Sequence, residues 1–451
     1  MSIDWLAHFQ RSIDDAAIDS RITLIPVPLL GLHRSPTLSA KDKYRNTLRE
    51  LFIPTGQHRE LIKELFEIIL LHIERTYSSN EAYVQRCNTL DLREIEFDPN
   101  FIMILCGLGG VGKSHVSKAI VRFLTDMEPA CIALPGMPTY RVDKVWRMQM
   151  KTGGDLKGLL TPYLPQASGS ENDLIMLAAK RCFTNLVALL LADEFQFVTL
   201  SENASAKASK ILMRLATIGC PLVTCSNFTM LNKLYKRPQQ ERRRLLERVR
   251  FIFPELIGSP EWIKTLLAQL NVAPEIYSSD NSIKLASHGE MLYNYTYGIN
   301  DFAAKLLSLA YSEARFASRH IVKPEDVVRA YASADYLSSR QDVELLKSQD
   351  VQKKYRRSDL WCDHYFESLQ KFKASEQSKK VTPVRDAINE FTRREEEKLL
   401  ISGLNREERL QAEAKLAELE RATGTGKVVR MNRPKATKEG LLSGYRDLEA
   451  E

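Results

Sequence analysis

Residues 107–114 read Gly-Leu-Gly-Gly-Val-Gly-Lys-Ser, the G-x-x-x-x-G-K-S spacing of a phosphate-binding loop. The glycines let backbone N–H groups turn inward around a polyphosphate. Gly107, Leu108, Gly109, Gly110, Val111, Gly112, Lys113, Ser114 and His115 would form this cradle. Lys113 would reach the terminal phosphates, and the Ser114 hydroxyl would ligate Mg²⁺. An ordinary glycine turn is the bland alternative. Against it, a β-rich apolar run at 101–106 precedes the loop and a helical pattern at 114–124 follows. A second stretch, TGTGK at 423–427, lacks the preceding strand and the full spacing, and reads as linker.

Residues 186–194, LVALLLADE, form an apolar run ending in two acids. Carboxylates at the end of a buried strand are costly unless paired or near a metal. Asp193 is expected to hold Mg²⁺ through water, and Glu194 to polarise the water that attacks ATP; the alternative is an acidic pair opening a helix. A later run ends Val-Thr-Cys-Ser-Asn at 223–227. Asn227, with Ser226 as second choice, would orient that water, unless the pair simply forms a turn. The arginine-rich stretch 237–250 follows. It can supply a finger to a neighbouring subunit's phosphate, with Arg248 first and Arg244 second. A solvated basic helix face is the competing reading.

Strands alternating with helices position these residues. Strands are expected at 101–106, 130–134, 186–191 and 221–225, and helices at 59–76, 114–124, 174–182 and 204–218. Such alternation implies a parallel α/β sheet. Beyond residue 250 strand signals fade, and 260–269, 283–297, 301–318 and 324–333 read as helices. The expected organisation is an N-terminal arm (1–50), a nucleotide-binding α/β domain (51–250), a helical lid (251–340) and a charged helical or flexible tail (341–451). Within the tail, 392–422 reads as a charged helix interrupted by Gly403. That tail could dock on a partner or stay solvated.

The 451 residues are 44% apolar and 27% charged, with a formal net charge of +7. This permits a sizeable core and an acidic polymer as partner without requiring the latter. Seven scattered cysteines with no zinc spacing fit a reduced, cytoplasmic setting. No apolar run reaches the roughly 18–20 residues of a membrane span, so no membrane role is expected.

The phosphate loop, the Asp193–Glu194 strand end, the polar end at Asn227 and the helices behind them together resemble an AAA+ ATPase. More narrowly, the chain resembles the TnsC/TniB regulators of DNA transposons, which are related to MuB. FIPTGQH at 52–58, TGGDLKGLL at 152–160 and TYGINDFAAKLLSLA at 296–310 carry this resemblance, which covers roughly 45–340. It implies a bacterial ATPase whose ATP-bound subunits assemble as a ring or filament on double-stranded DNA. The assembly would bridge a target-selector protein (TnsD/TniQ-like) to transposase subunits and dissolve on hydrolysis. One departure is visible: many AAA+ lids carry an arginine just after the lid glycine, whereas Gly298 is followed by Ile299, Asn300 and Asp301. DNA contacts are expected from the basic segment 140–152, through Arg141, Lys144, Arg147 and Lys151. An exposed amphipathic helix is the alternative there. Two other functions compete: a replication-type loader or initiator ATPase, and a nucleotide-gated scaffold that does not hydrolyse. Glu194 argues against the scaffold.

Overall fold

The computed structural model describes Trp5, Phe9 and residues 12–89, 101–125, 131–133, 137–150, 154–164, 169–195, 204–279, 282–353 and 355–378. In chain order the elements are α1 (Asp15–Ile22), α2 (Thr37–Glu50), α3 (Gly56–Thr76), α4 (Asn80–Thr89), β1 (Ile102–Gly107), α5 (Lys113–Leu124), β2 (Cys131–Ile132), β3 (Tyr140–Arg141) and β4 (Lys144–Gln149). Then come α6 (Leu156–Leu160), α7 (Glu171–Thr184), β5 (Val187–Asp193), α8 (Ala204–Ala216), β6 (Leu222–Ser226), α9 (Phe228–Tyr235), α10 (Gln239–Leu245) and β7 (Arg248–Ile252). The helices α11 (Pro260–Asn271), α12 (Leu285–Thr296), α13 (Asn300–Phe316), α14 (Pro324–Ala332), α15 (Leu337–Gln352) and α16 (Asp363–Ser378) follow.

Five strands form one parallel sheet in the order β4-β5-β6-β1-β7. Every residue of β1, β5 and β6 is buried. These strands are apolar almost throughout because helices cover both faces of a parallel sheet. The helix α3 turns Leu61, Ile62, Leu65, Phe66, Ile69 and Ile73 inward, and α5 does so with Val116, Ile120 and Phe123. The chain reverses its direction of sheet growth at β1, which lies between β6 and β7. Ligands bind outside the carboxyl ends of strands at such a switch point, and the glycine-rich loop sits there.

Two strand expectations are corrected. The expected strand at 130–134 is the short β2, which pairs antiparallel with β3 and stands outside the main sheet. Its place is taken by β4, within the segment expected to be a DNA-facing loop. Strand signals also do not end at residue 250. The strand β7 pairs with β1 despite carrying two arginines, because it is an edge strand with only Ile252 buried.

The helices after β7 build a second core around Trp262, Leu266, Leu306, Leu307, Tyr311 and Tyr336. The N-terminal arm contributes to it: α2 packs along α13 and inserts Ala40, Tyr44 and Leu48. The Tyr44 and Tyr277 hydroxyls are 3.0 Å apart, and Arg315 donates to the carbonyls of Leu32 and Ser35. Phe9, Ile18 and Ile22 belong instead to the core of the sheet.

The start of the charged tail also packs. Val343, Leu346, Leu360, Tyr365 and Leu369 are buried in the sheet's core. The Tyr365 ring lies 4.6 Å from Phe228 and 5.2 Å from Phe253, and Phe372 stacks on Phe253 at 4.9 Å. The expected helix at 392–422 and the TGTGK stretch lie outside the described residues.

Candidate active site

The loop leaving β1 turns through Gly110 and Gly112, whose φ angles are +80° and +101°. These are left-handed conformations that glycine adopts without steric cost. Lys113 opens α5 and folds back over the loop, donating to the carbonyls of Gly107 (2.9 Å) and Leu108 (2.7 Å). Burial lowers its pKa from the ordinary lysine value. The His115 Nε2–H donates to the Arg49 carbonyl at 2.5 Å, and its ring stacks on Phe52. This joins the FIPTGQH segment to the start of α5.

Three oxygen-bearing side chains converge next to the lysine. The Ser114 hydroxyl lies 3.1 Å from Glu194 Oε1 and 3.4 Å from Asp193 Oδ1. Asp193 is 1% exposed and ends β5. Its Oδ1 accepts the Glu194 N–H at 2.9 Å, and its Oδ2 lies 3.0 Å from Arg147 Nη2. Glu194 has a φ of +58°, uncommon for a side chain with a Cβ. That turn redirects the chain at the strand end, where the Glu194 carboxylate reaches Ser114. A hydroxyl and two carboxylates beside a glycine-rich loop suit a hard divalent ion carried on a polyphosphate.

Asn227 follows β6 and caps α9, its Oδ1 accepting the Met230 N–H at 3.1 Å. Ser226 is fully buried beside its register partner Cys106. Arg248 sits elsewhere. It pairs with Met103 at the start of β1, whereas Ile252 pairs with Gly107 at its end. Four residues of strand correspond to about 13 Å, beyond the reach of the Arg248 side chain to its own phosphate loop. Its guanidinium lies over Phe101, and Nη1 is buried without a hydrogen-bond partner. Arg244 is exposed on α10.

Two of the expected DNA contacts are corrected. Lys144 is 5% exposed, with its ammonium over the Phe9 ring. Arg147 is turned toward Asp193 and toward the Ser117 hydroxyl at 3.4 Å. Both charges are taken up inside the domain because this segment is a strand whose alternate residues Trp146 and Met148 face the core. Arg141 is exposed and lies 3.5 Å from Asp143. Lys151 lies outside the described residues.

The lid meets the loop directly. The Asp301 N–H donates to the Gly110 carbonyl at 3.3 Å, and Asp301 pairs with Arg49 Nε at 3.0 Å. An acid therefore occupies the position where many lids carry arginine, and the nearby cation comes from α2. Sequence reasoning missed this Arg49 contact and the Arg147–Asp193 pair. The period-two alternation of Lys144, Trp146 and Met148 was the available signal for β4; nothing local marks Arg49.

No protein-family model and no curated protein sequence matches the chain. Among solved structures it is similar to the ORC2 protein of Aeropyrum pernix, at 14% identity over 60% of this chain and 67% of that one, with a TM-score of 0.38. It is similar to domain III of the Thermotoga maritima replication initiation protein DnaA, at 13% identity over 55% and 88%, with a TM-score of 0.33. A third is Cdc6p from Pyrobaculum aerophilum, at 14% identity over 69% and 85%, with a TM-score of 0.37. Likeness at this level says nothing about what the chain binds. The sheet order, the loop at its switch point and the helices behind it make this an α/β P-loop domain followed by a helical domain.

Proposed function

We propose that the chain is an ATP-hydrolysing, DNA-bound regulator of DNA transposition. The observation that carries the ATPase reading is the meeting of Ser114, Asp193 and Glu194 beside Lys113. Lys113 would exchange its two loop carbonyls for the β- and γ-phosphates. Ser114 and Asp193 would hold Mg²⁺, which offsets charge on the phosphates when bound. Glu194 accepts a proton from the attacking water, and Asn227 orients that water. Gly107, Leu108, Gly109, Gly110, Val111, Gly112 and His115 complete the binding loop.

Arg248 cannot serve its own site, so in this reading it serves the site of a second subunit. A head-to-tail contact of that kind generates rings or filaments, with ATP favouring assembly and hydrolysis dissolving it. The resemblance of 52–58, 152–160 and 296–310 to transposition regulators supports double-stranded DNA, a target selector and transposase subunits as partners. Arg141 and Lys151 remain the proposed phosphate contacts on DNA. Among the described residues, no helix is long and apolar enough to cross a membrane.

Electron microscopy with a non-hydrolysable ATP analogue and duplex DNA tests this reading. Rings or filaments should require both ligands and be lost in Lys113→Ala. Glu194→Gln should bind ATP, stop turnover and leave the DNA complexes persistent. Normal hydrolysis by that variant would remove Glu194 from the mechanism. Assembly indifferent to nucleotide would overturn the proposal.

A further inference from the structure

A cavity of about 280 Å³ shares no residue with the phosphate loop. It lies where β7 gives way to the lid, between the first turns of α3, the segment 250–256, the start of α11 and the end of α16. Five carboxylates line it: Glu60, Glu64, Glu255, Glu261 and Glu376. Arg250 is the one cation among the described lining residues, and it is paired with Glu64 at 2.8 Å. Phe251, Phe253 and Phe372 supply aromatic surface.

Glu255 sets this cavity apart from an ordinary acidic patch. It is 7% exposed, and among the described residues no hydrogen bond or ion pair engages its carboxylate; its backbone N–H donates to the Gly298 carbonyl. A buried carboxylate without a partner is costly. Burial, with Glu261 and Glu376 nearby, pushes the carboxyl up to about 8. The backbone around it is held firmly. Gln57 donates to the Phe253 carbonyl and accepts its N–H, both at 3.0 Å.

We propose that this cavity binds a guanidinium group, presented as an arginine side chain, with Glu255 as its buried anion. Carboxylates around aromatic faces match a planar cation that stacks and donates in its own plane. The volume lies at the low end for ligand sites and suits one side chain better than a larger molecule. Because the lining joins the sheet to the first turn of α11, an occupant ties the lid to the α/β domain. The site does not rest on the nucleotide reading, and its binding is measured without ATP.

The groups facing Glu255 give the binding a pH signature. Glu60 and Glu64 face the cavity from α3, Arg250 from β7, Glu261 from α11 and Glu376 from α16. Burial pushes the Glu255 titration into the neutral range. A cation favours its ionised form, so binding releases a proton and strengthens as pH rises toward 8 and slightly beyond.

Calorimetric titration of the full chain with L-argininamide tests this. Affinity should rise about tenfold between pH 7 and pH 9, and fall at least tenfold at pH 9 in Glu255→Gln. Citrulline amide and spermidine should bind more weakly than argininamide. Glu255→Gln removes a buried carboxyl that ionises freely only in the unfolded chain, so this variant should fold at least as well as the parent above pH 7. If it nevertheless fails to fold, Glu261→Gln and Phe372→Ala take its place, each with a weakened argininamide affinity expected. Equal binding by parent and variants, a flat pH profile, or spermidine binding as tightly as argininamide would overturn the assignment.

Discussion

Arg147 Nη2 lies 3.0 Å from Asp193 Oδ2, so the acid at the end of β5 has a cation partner on the neighbouring strand. The pair forms because β4 and β5 run in register, with Arg147 opposite Leu191 and Gln149 opposite Asp193. Asp193 is almost fully buried, whereas 30% of the Arg147 side chain is exposed. Arg147 thus balances a charge that water does not reach.

Arg147→Met should strand that charge. Removing one partner of a buried pair costs about 3–5 kcal/mol, and partial exposure of the arginine reduces this to about 1–3 kcal/mol. A divalent ion at Asp193 would replace the lost cation. Urea unfolding should therefore show a clear loss of stability without nucleotide and a smaller loss with Mg²⁺ and an ATP analogue. An equal loss in both conditions would separate Arg147 from the metal site.

Arg248→Ala should retain nucleotide binding and lose turnover by about 10³-fold, the scale of an arginine finger. Mixing it with Lys113→Ala is the stronger test. One chain then brings an intact phosphate loop and the other an intact arginine. Turnover should reappear in the mixture, measured as phosphate release. No recovery would assign Arg248 to packing against Phe101.

Gly298→Ala should weaken the lid joint. Gly298 has a φ of +67°, and a Cβ there would meet the Glu255 carbonyl oxygen at 2.1 Å. That oxygen is backbone and not the end of a flexible side chain. The backbone must shift, at a cost of about 1–3 kcal/mol or more. Chemical denaturation gives the number, and hydrogen exchange should localise the loosening to residues 253–256 and the start of α13.

Tyr365→Ala should show that the start of the charged tail is structural. The ring is fully buried among Phe228, Phe251 and Phe253. Its loss should cost about 3–5 kcal/mol. A cost below about 1 kcal/mol would mean that α16 is not anchored there in solution.

The chemistry of the loop was legible in local sequence. A phosphate cradle is built from consecutive amides and glycines, so its spacing survives as a string of letters from Gly107 to Ser114. The buried strands β1, β5 and β6 were equally legible, because strands covered on both faces are apolar throughout. The arrangement Ser114–Asp193–Glu194 joins residues 79 and 80 positions apart; it was inferred from pattern, and the sheet order made it a contact.

Other features were decided only by tertiary structure. Lys144 and Arg147 carry the same letters whether they face DNA or a buried acid, and only the pairing of β4 with β5 selects the second. The strand β7 is an edge strand whose arginines mask its alternation. Helix α2 joins the lid core, and Tyr365 joins the sheet core, through contacts far apart in the chain. Charge composition alone reads such segments as solvated, because the energy that buries them comes from partners hundreds of residues away.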